Sequence, residues 1–65
     1  MKLFINGEAK YFSCSTLSAV MEQEGWYERK AAVAVNGQFV PKGQHMDVAL
    51  KDGDQLEILT PMQGG

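Results

Sequence analysis

Leu3 and Ile5 alternate with Lys2 and Phe4, and after Asn6-Gly7 the chain resumes with Ala9-Lys10-Tyr11-Phe12. Asn-Gly between two short apolar runs is the strongest local hairpin signal, because both residues tolerate positive φ. A β-hairpin is predicted over residues 2–12. Ser13-Cys14-Ser15-Thr16 then offers hydroxyls suited to a helix N-cap. Leu17, Val20 and Met21 recur at the i, i+3, i+4 spacing of one helical face, which predicts a helix of two turns over residues 17–24. No capping box accompanies Thr16, since the third helical position is Ala19 and not Glu. Gly25 is placed to end the helix, with Trp26 folding back onto its last turn.

Val33 and Val35 alternate with alanines, a second Asn-Gly (Asn36-Gly37) turns the chain, and Gln38-Phe39-Val40 returns as a strand stopped by Pro41. Residues 42–50 read as irregular, with Met46, Val48 and Leu50 as small anchors. Asp52-Gly53-Asp54 is a turn, and Leu56 and Ile58 mark a last strand that runs to Thr60 before Pro61. A helix between a hairpin and later strands must pack its stripe on one sheet face, with a right-handed crossover. The expected fold is an α+β roll in which a sheet of four or five strands wraps one helix. By strand parity Leu3, Ile5, Val33, Val35, Leu56 and Ile58 point inward, while Phe4, Ala32, Ala34 and Leu59 point outward.

Composition narrows what such a roll can do. The chain has 65 residues, room for one domain with a thin core. One cysteine and one histidine cannot form an internal disulfide or fill a zinc site. A net charge of −2 argues against nucleic acid or an anionic membrane as the main partner. The opening apolar run is far short of a secretory signal or a membrane span, so the expected location is the cytoplasm with a reduced thiol.

Most candidate residues have a plain structural role. Cys14 has no Lys, Arg or His neighbour to activate its thiol and reads as a small apolar residue near a strand end. His45 stands in no catalytic motif and reads as a surface or loop residue. Lys51-Asp52-Gly53-Asp54 lacks the ligands of a calcium loop, and Gly7 and Gly37 belong to hairpins rather than to a phosphate loop. Glu22, Glu24 and Glu28 read as a solvated face, and Trp26 and Tyr27 as a cover over the open end of the core. Gly64-Gly65 is different. The pair follows directly from a strand, beyond Pro61, and a carboxylate on Gly65 can enter a narrow site in an extended form that glycine alone accepts without strain. A carboxylate is a poor electrophile, so a partner would have to activate it, for example as an acyl-adenylate made with ATP.

Val35-Asn36-Gly37-Gln38-Phe39-Val40-Pro41, Leu50-Lys51-Asp52-Gly53-Asp54 and Thr60-Pro61-Met62-Gln63-Gly64-Gly65 together resemble the sulfur carrier family of thiamine biosynthesis (ThiS). The resemblance spans the whole chain, although the first 30 residues match mainly in pattern. It implies a ubiquitin-like β-grasp domain over residues 1–60 and a flexible carrier tail over residues 61–65, comprising Pro61, Met62, Gln63, Gly64 and Gly65. It implies a carrier and not an enzyme, with no catalytic residue, metal or cofactor of its own. A ThiF-like adenylyltransferase would use ATP on Gly65, sulfur drawn from cysteine through a desulfurase would displace AMP to leave a thiocarboxylate, and a ThiG-like thiazole synthase would take that sulfur. The five tail residues reach at most about 17 Å, which bounds the depth of a partner's channel. Because the first and last strands of a β-grasp sheet are neighbours, Phe4 and Leu59 are expected to form one apolar docking patch at the tail root. Two other classes share parts of the pattern: a molybdopterin-type carrier or ubiquitin-like modifier, and a β-grasp interaction module whose glycines are incidental.

Overall fold

The computed structural model describes residues 1–61; residues 62–65, on which most of the expected flexible tail falls, lie outside the described residues. The chain runs β1 (Lys2–Ile5), β2 (Glu8–Tyr11), α1 (Leu17–Gln23), β3 (Ala32–Val35), β4 (Gln38–Val40), a 3-10 helix over Lys42–Asp47, and β5 (Gln55–Leu59). The five strands form one sheet in the order β2-β1-β5-β3-β4. Both hairpins are antiparallel, β5 pairs antiparallel with β3, and β1 and β5 run parallel at the centre. This is the α+β roll that the pattern predicts, and each element follows from local chemistry.

At the two hairpin turns Asn6 and Asn36 both sit at φ 50, with Gly7 at φ 88 and Gly37 at φ 87. Positive φ at both central residues matches the turn to the right-handed twist of its strands. The helix is seven residues long, one shorter than the pattern suggests. So short a helix is not stable alone and depends on its ends and its packing. Thr16 Oγ1 accepts from the Ala19 amide at 3.3 Å, while Leu17, Val20 and Met21 are fully buried. At the other end the Gly25 amide donates to Glu22 and the Trp26 amide to Met21. That bond pair, with Gly25 at φ 74, is a Schellman ending, and buried Trp26 and Met21 supply its apolar contact.

The inward face of the sheet contributes Leu3, Ile5, Val33, Leu56 and Ile58 to the core, as parity predicts. Leu50 anchors the segment before β5, with its amide bonded to Ser15 and the Leu17 amide bonded to Val48. Three expectations for residues 42–50 need correction, the first being that Lys42–Asp47 is not irregular but a 3-10 helix. Met46 is exposed and anchors nothing, and His45 is neither a surface nor a loop residue but is buried in the 3-10 helix. With three residues per turn, a short 3-10 segment turns one residue in three inward, and here that residue is His45. Among the described residues no helix is long and apolar enough to cross a membrane.

Candidate functional site

The tail leaves from β5, the middle strand of the five, which is paired on both edges. Side chains from both hairpin turns reinforce those edges. Asn6 Oδ1 accepts from the Ile58 amide at 2.8 Å, and its Nδ2 donates to the Ile58 carbonyl at 3.3 Å. One carboxamide thus carries on the parallel pairing of β1 with β5 after β1 itself has turned away. On the opposite side Asn36 Oδ1 accepts from the Gln55 amide at 3.0 Å, and the Asn36 amide donates to the Gln55 carbonyl at 2.7 Å. Asn36 Nδ2 also donates to Asp54 Oδ1 at 3.1 Å. The strand that leads to the tail is therefore held at its first residue by one turn and at its fourth by the other.

Asp54 anchors the entry to β5. It is buried, and it accepts from the Lys51 amide at 2.9 Å while the Lys51 ammonium lies 3.3 Å away. Burial pushes its carboxyl up, but the hydrogen bonds from Lys51 and Asn36 and the Lys51 charge together outweigh burial and hold it below the usual carboxylate range. Asp52 accepts from the Lys2 amide at 2.7 Å, so this turn is also stitched to β1. The Asp-Gly-Asp segment is a turn, as predicted, and both carboxylates are engaged in holding the sheet.

The outer face of the sheet borders the tail root. Leu59 is 71% exposed, and Phe4 is half-buried with the Lys2 ammonium over its ring. Both point outward, yet they do not form a single patch. Phe4 lies opposite Gln55, whereas Leu59 is four residues further along β5 and opposite Ala32. At about 3.3 Å per residue the gap is some 13 Å. The register of two strands so distant in sequence sets this separation. Leu59's apolar neighbour across the sheet is Ala32; Phe39, opposite Ala34 and also exposed, lies on the same face one strand further out and two residues along.

Beside this face stands the one titratable pair among the described residues that looks like catalytic chemistry. The Tyr27 hydroxyl is 2.8 Å from His45 Nδ1, and the rings stack with centroids 5.6 Å apart. His45 Nε2 lies 3.0 Å from the Val40 carbonyl. The carbonyl can only accept, so Nε2 carries a proton, and in the neutral ring Nδ1 accepts from Tyr27. Burial, and secondarily the Glu22 charge, push the Tyr27 hydroxyl up. A hydroxyl harder to ionise and a histidine spent on a backbone carbonyl make a structural lock rather than an acid–base pair. Cys14 is partly buried, with its thiol 3.7 Å from Gln23, away from the tail root. Glu24 pairs with Lys10 at 2.8 Å, and Glu22 and Glu28 are exposed.

Reasoning from sequence found the outward parity of Leu59 and the turn at Asp54, while most of the expected tail lies outside the described residues. It missed the second role of Asn6 and Asn36. Their signal is the choice of asparagine at both turns, since a carboxamide both donates and accepts. It missed His45 because the segment around it has no recognisable period.

The model of the ThiS family matches residues 3–65. A sulfur carrier protein ThiS from Thermus thermophilus is 33% identical over 63 residues, covering 97% of this chain and 98% of that protein. Another from Escherichia coli is 30% identical over 66 residues, with both chains covered in full. A thiazole synthase from Paramagnetospirillum magneticum is 47% identical over 66 residues; all of this chain matches, but it spans only 20% of that protein's length. The crystal structure of a thiamine biosynthesis protein (ThiS) from Geobacter metallireducens superimposes over the full length of both chains with a TM-score of 0.82 at 23% identity, a likeness of fold. With the expected β-grasp roll in place and the match running from Leu3 to Gly65, the chain belongs to the ThiS family.

Proposed function

We propose that this protein is a sulfur carrier of thiamine biosynthesis and that the Gly65 carboxyl carbon is its working atom. Family membership over residues 3–65 carries the reading. The roll acts as a handle, and the chemistry belongs to its partners. An adenylyltransferase joins the carboxylate to the α-phosphate of ATP and releases pyrophosphate. The outer sulfur of a donor persulfide, such as that of a cysteine desulfurase, then attacks the carbonyl carbon and displaces AMP. Two thiols of a reductant cleave the resulting acyl disulfide, becoming a disulfide themselves and leaving a thiocarboxylate. A thiazole synthase accepts that sulfur. A protein named thiazole synthase that contains a region 47% identical to this chain supports such a partnership. The setting proposed is the cytoplasm, where the thiol of Cys14 stays reduced.

The body's part is to aim the tail. Because β5 is clamped at Gln55 and Ile58, a partner that grips the outer face near Leu59 gains a fixed origin for the residues that follow. Leu59, Ala32 and Phe39 form the docking surface in this reading, with Phe4 a separate contact further along the sheet. The test is sulfur loading by the adenylyltransferase with ATP and sulfide. Removing Gly65, or appending an alanine after it, should abolish loading while leaving the melting temperature unchanged. Loading of the extended form at the parental rate would overturn the proposal.

A further inference from the structure

A cleft of about 240 Å³ opens beside the Leu59 face, with Tyr27, Lys30, Ala32, Phe39, Lys42 and His45 among its lining residues. Ala32 pairs with Leu59, so the cleft adjoins the root of the tail. The stacked Tyr27 and His45 rings contribute a flat wall, and their polar atoms are already bonded to each other and to Val40. Phe39 is 67% exposed and offers an apolar surface. The Lys42 ammonium lies 5.5 Å from the Tyr27 ring centroid. Neither Lys30 nor Lys42 forms an ion pair among the described residues, and no acidic side chain lines the cleft. On a chain of net charge −2, two free cations thus share one small hollow.

Lys30 is held there against its backbone preference. Its φ is 55, in the left-handed region. The Lys30 amide donates to Tyr27 and the Ala31 amide to Trp26, repeating the bond pattern that ends α1. In that first turn the corresponding position is Gly25. A glycine at position 30 would relax the turn, whereas the chain places a cation there. The volume falls below the roughly 300–1,000 Å³ of typical small-molecule sites, and it suits one inserted side chain.

We infer that this cleft is a socket for an acidic side chain, a glutamate or aspartate, of the adenylating partner. The carboxylate lies between Lys30 and Lys42, and the methylene stem rests on Phe39. Paired with the apolar grip at Leu59, the socket fixes the rotation of the body about the tail axis and so helps to aim the tail. The inference rests on the carrier reading, because its occupant belongs to the protein that acts on the tail.

The test compares loading kinetics at varied carrier concentration for the parent, Lys30→Gly, Lys42→Gln and a form lacking Gly65. Lys30→Gly should melt no lower than the parent, since glycine relieves the positive φ, yet its KM as a carrier should rise roughly tenfold with kcat little changed. Lys42→Gln should act in the same direction, and both effects should shrink at high salt. Parental KM values for both variants, alongside a dead Gly65-less form, would overturn the socket and leave the carrier reading standing. A parent that takes no sulfur removes both. Inorganic phosphate and AMP serve as competing probes in NMR titrations. Shifts at Lys30, Phe39 and Lys42 with the adenylyltransferase alone support the socket; the same shifts with phosphate or AMP alone would show a small-anion site and overturn it.

Discussion

Asn6 does two jobs with one side chain. It adopts the positive φ that the hairpin needs, and its carboxamide holds both backbone groups of Ile58. Asn6→Gly separates these roles, since glycine accepts the same turn but has no carboxamide. The variant should lose about 1–2 kcal/mol of stability, and the Ile58 amide should exchange faster with solvent. Unchanged exchange at Ile58 would contradict the clamp. Asp54 makes a pH-dependent contribution. Its folded carboxyl sits below the ordinary value of 3.8, so its stabilisation is fully present above the unfolded value and fades as pH falls through the lower folded one. The stability difference between the parent and Asp54→Asn should be widest near neutral pH and narrow on acidification below 3.8. A difference that stays constant with pH would show that Asp54 acts by shape alone. Neither role is visible in sequence, where Asn-Gly and Asp-Gly-Asp announce a turn but not what their side chains reach.

At the scale of elements, what was legible is what is local. Both hairpins, the helix face, the Thr16 cap and the Gly25 ending depend on residues within a few positions of one another, and all are found. The inward set Leu3, Ile5, Val33, Leu56 and Ile58 follows from a period of two. The stagger of β1 against β5 is set by contacts some 50 residues apart in sequence, and no local pattern encodes it. That is why Phe4 and Leu59 share a face without sharing a patch. Lys42–Asp47 is the other gap: a single 3-10 segment has too few turns to show a period, and so hid His45. The two left-handed turn positions give an element-scale prediction of opposite sign. No atom would obstruct a Cβ at Gly25, so Gly25→Ala should cost about 1 kcal/mol from backbone strain alone, whereas Lys30→Gly should cost nothing. Thermal melts of the two variants check this, and equal losses would remove the strain argument.

The whole molecule separates stability from function. Its core lies on one side of the sheet, and the Leu59 face and the tail root lie outside that core. Leu59→Lys should therefore melt near the parental temperature and load sulfur more slowly, by a factor that corresponds to roughly 1–3 kcal/mol of lost partner binding. An unfolded variant would mean that Leu59 supports the core. The Gly65 carboxyl carbon and the Cys14 thiol are two places where sulfur could be carried, and they give different products. A thiocarboxylate exchanges one oxygen for one sulfur, whereas a persulfide adds a sulfur and loses no oxygen. Intact-mass measurement after incubation with the adenylyltransferase, ATP and a cysteine desulfurase with excess cysteine, whose persulfide can pass sulfur to either position, followed by fragmentation to locate the change, decides between them. The account predicts an oxygen-for-sulfur exchange confined to Gly65; a sulfur added at Cys14 with Gly65 unaltered would contradict it.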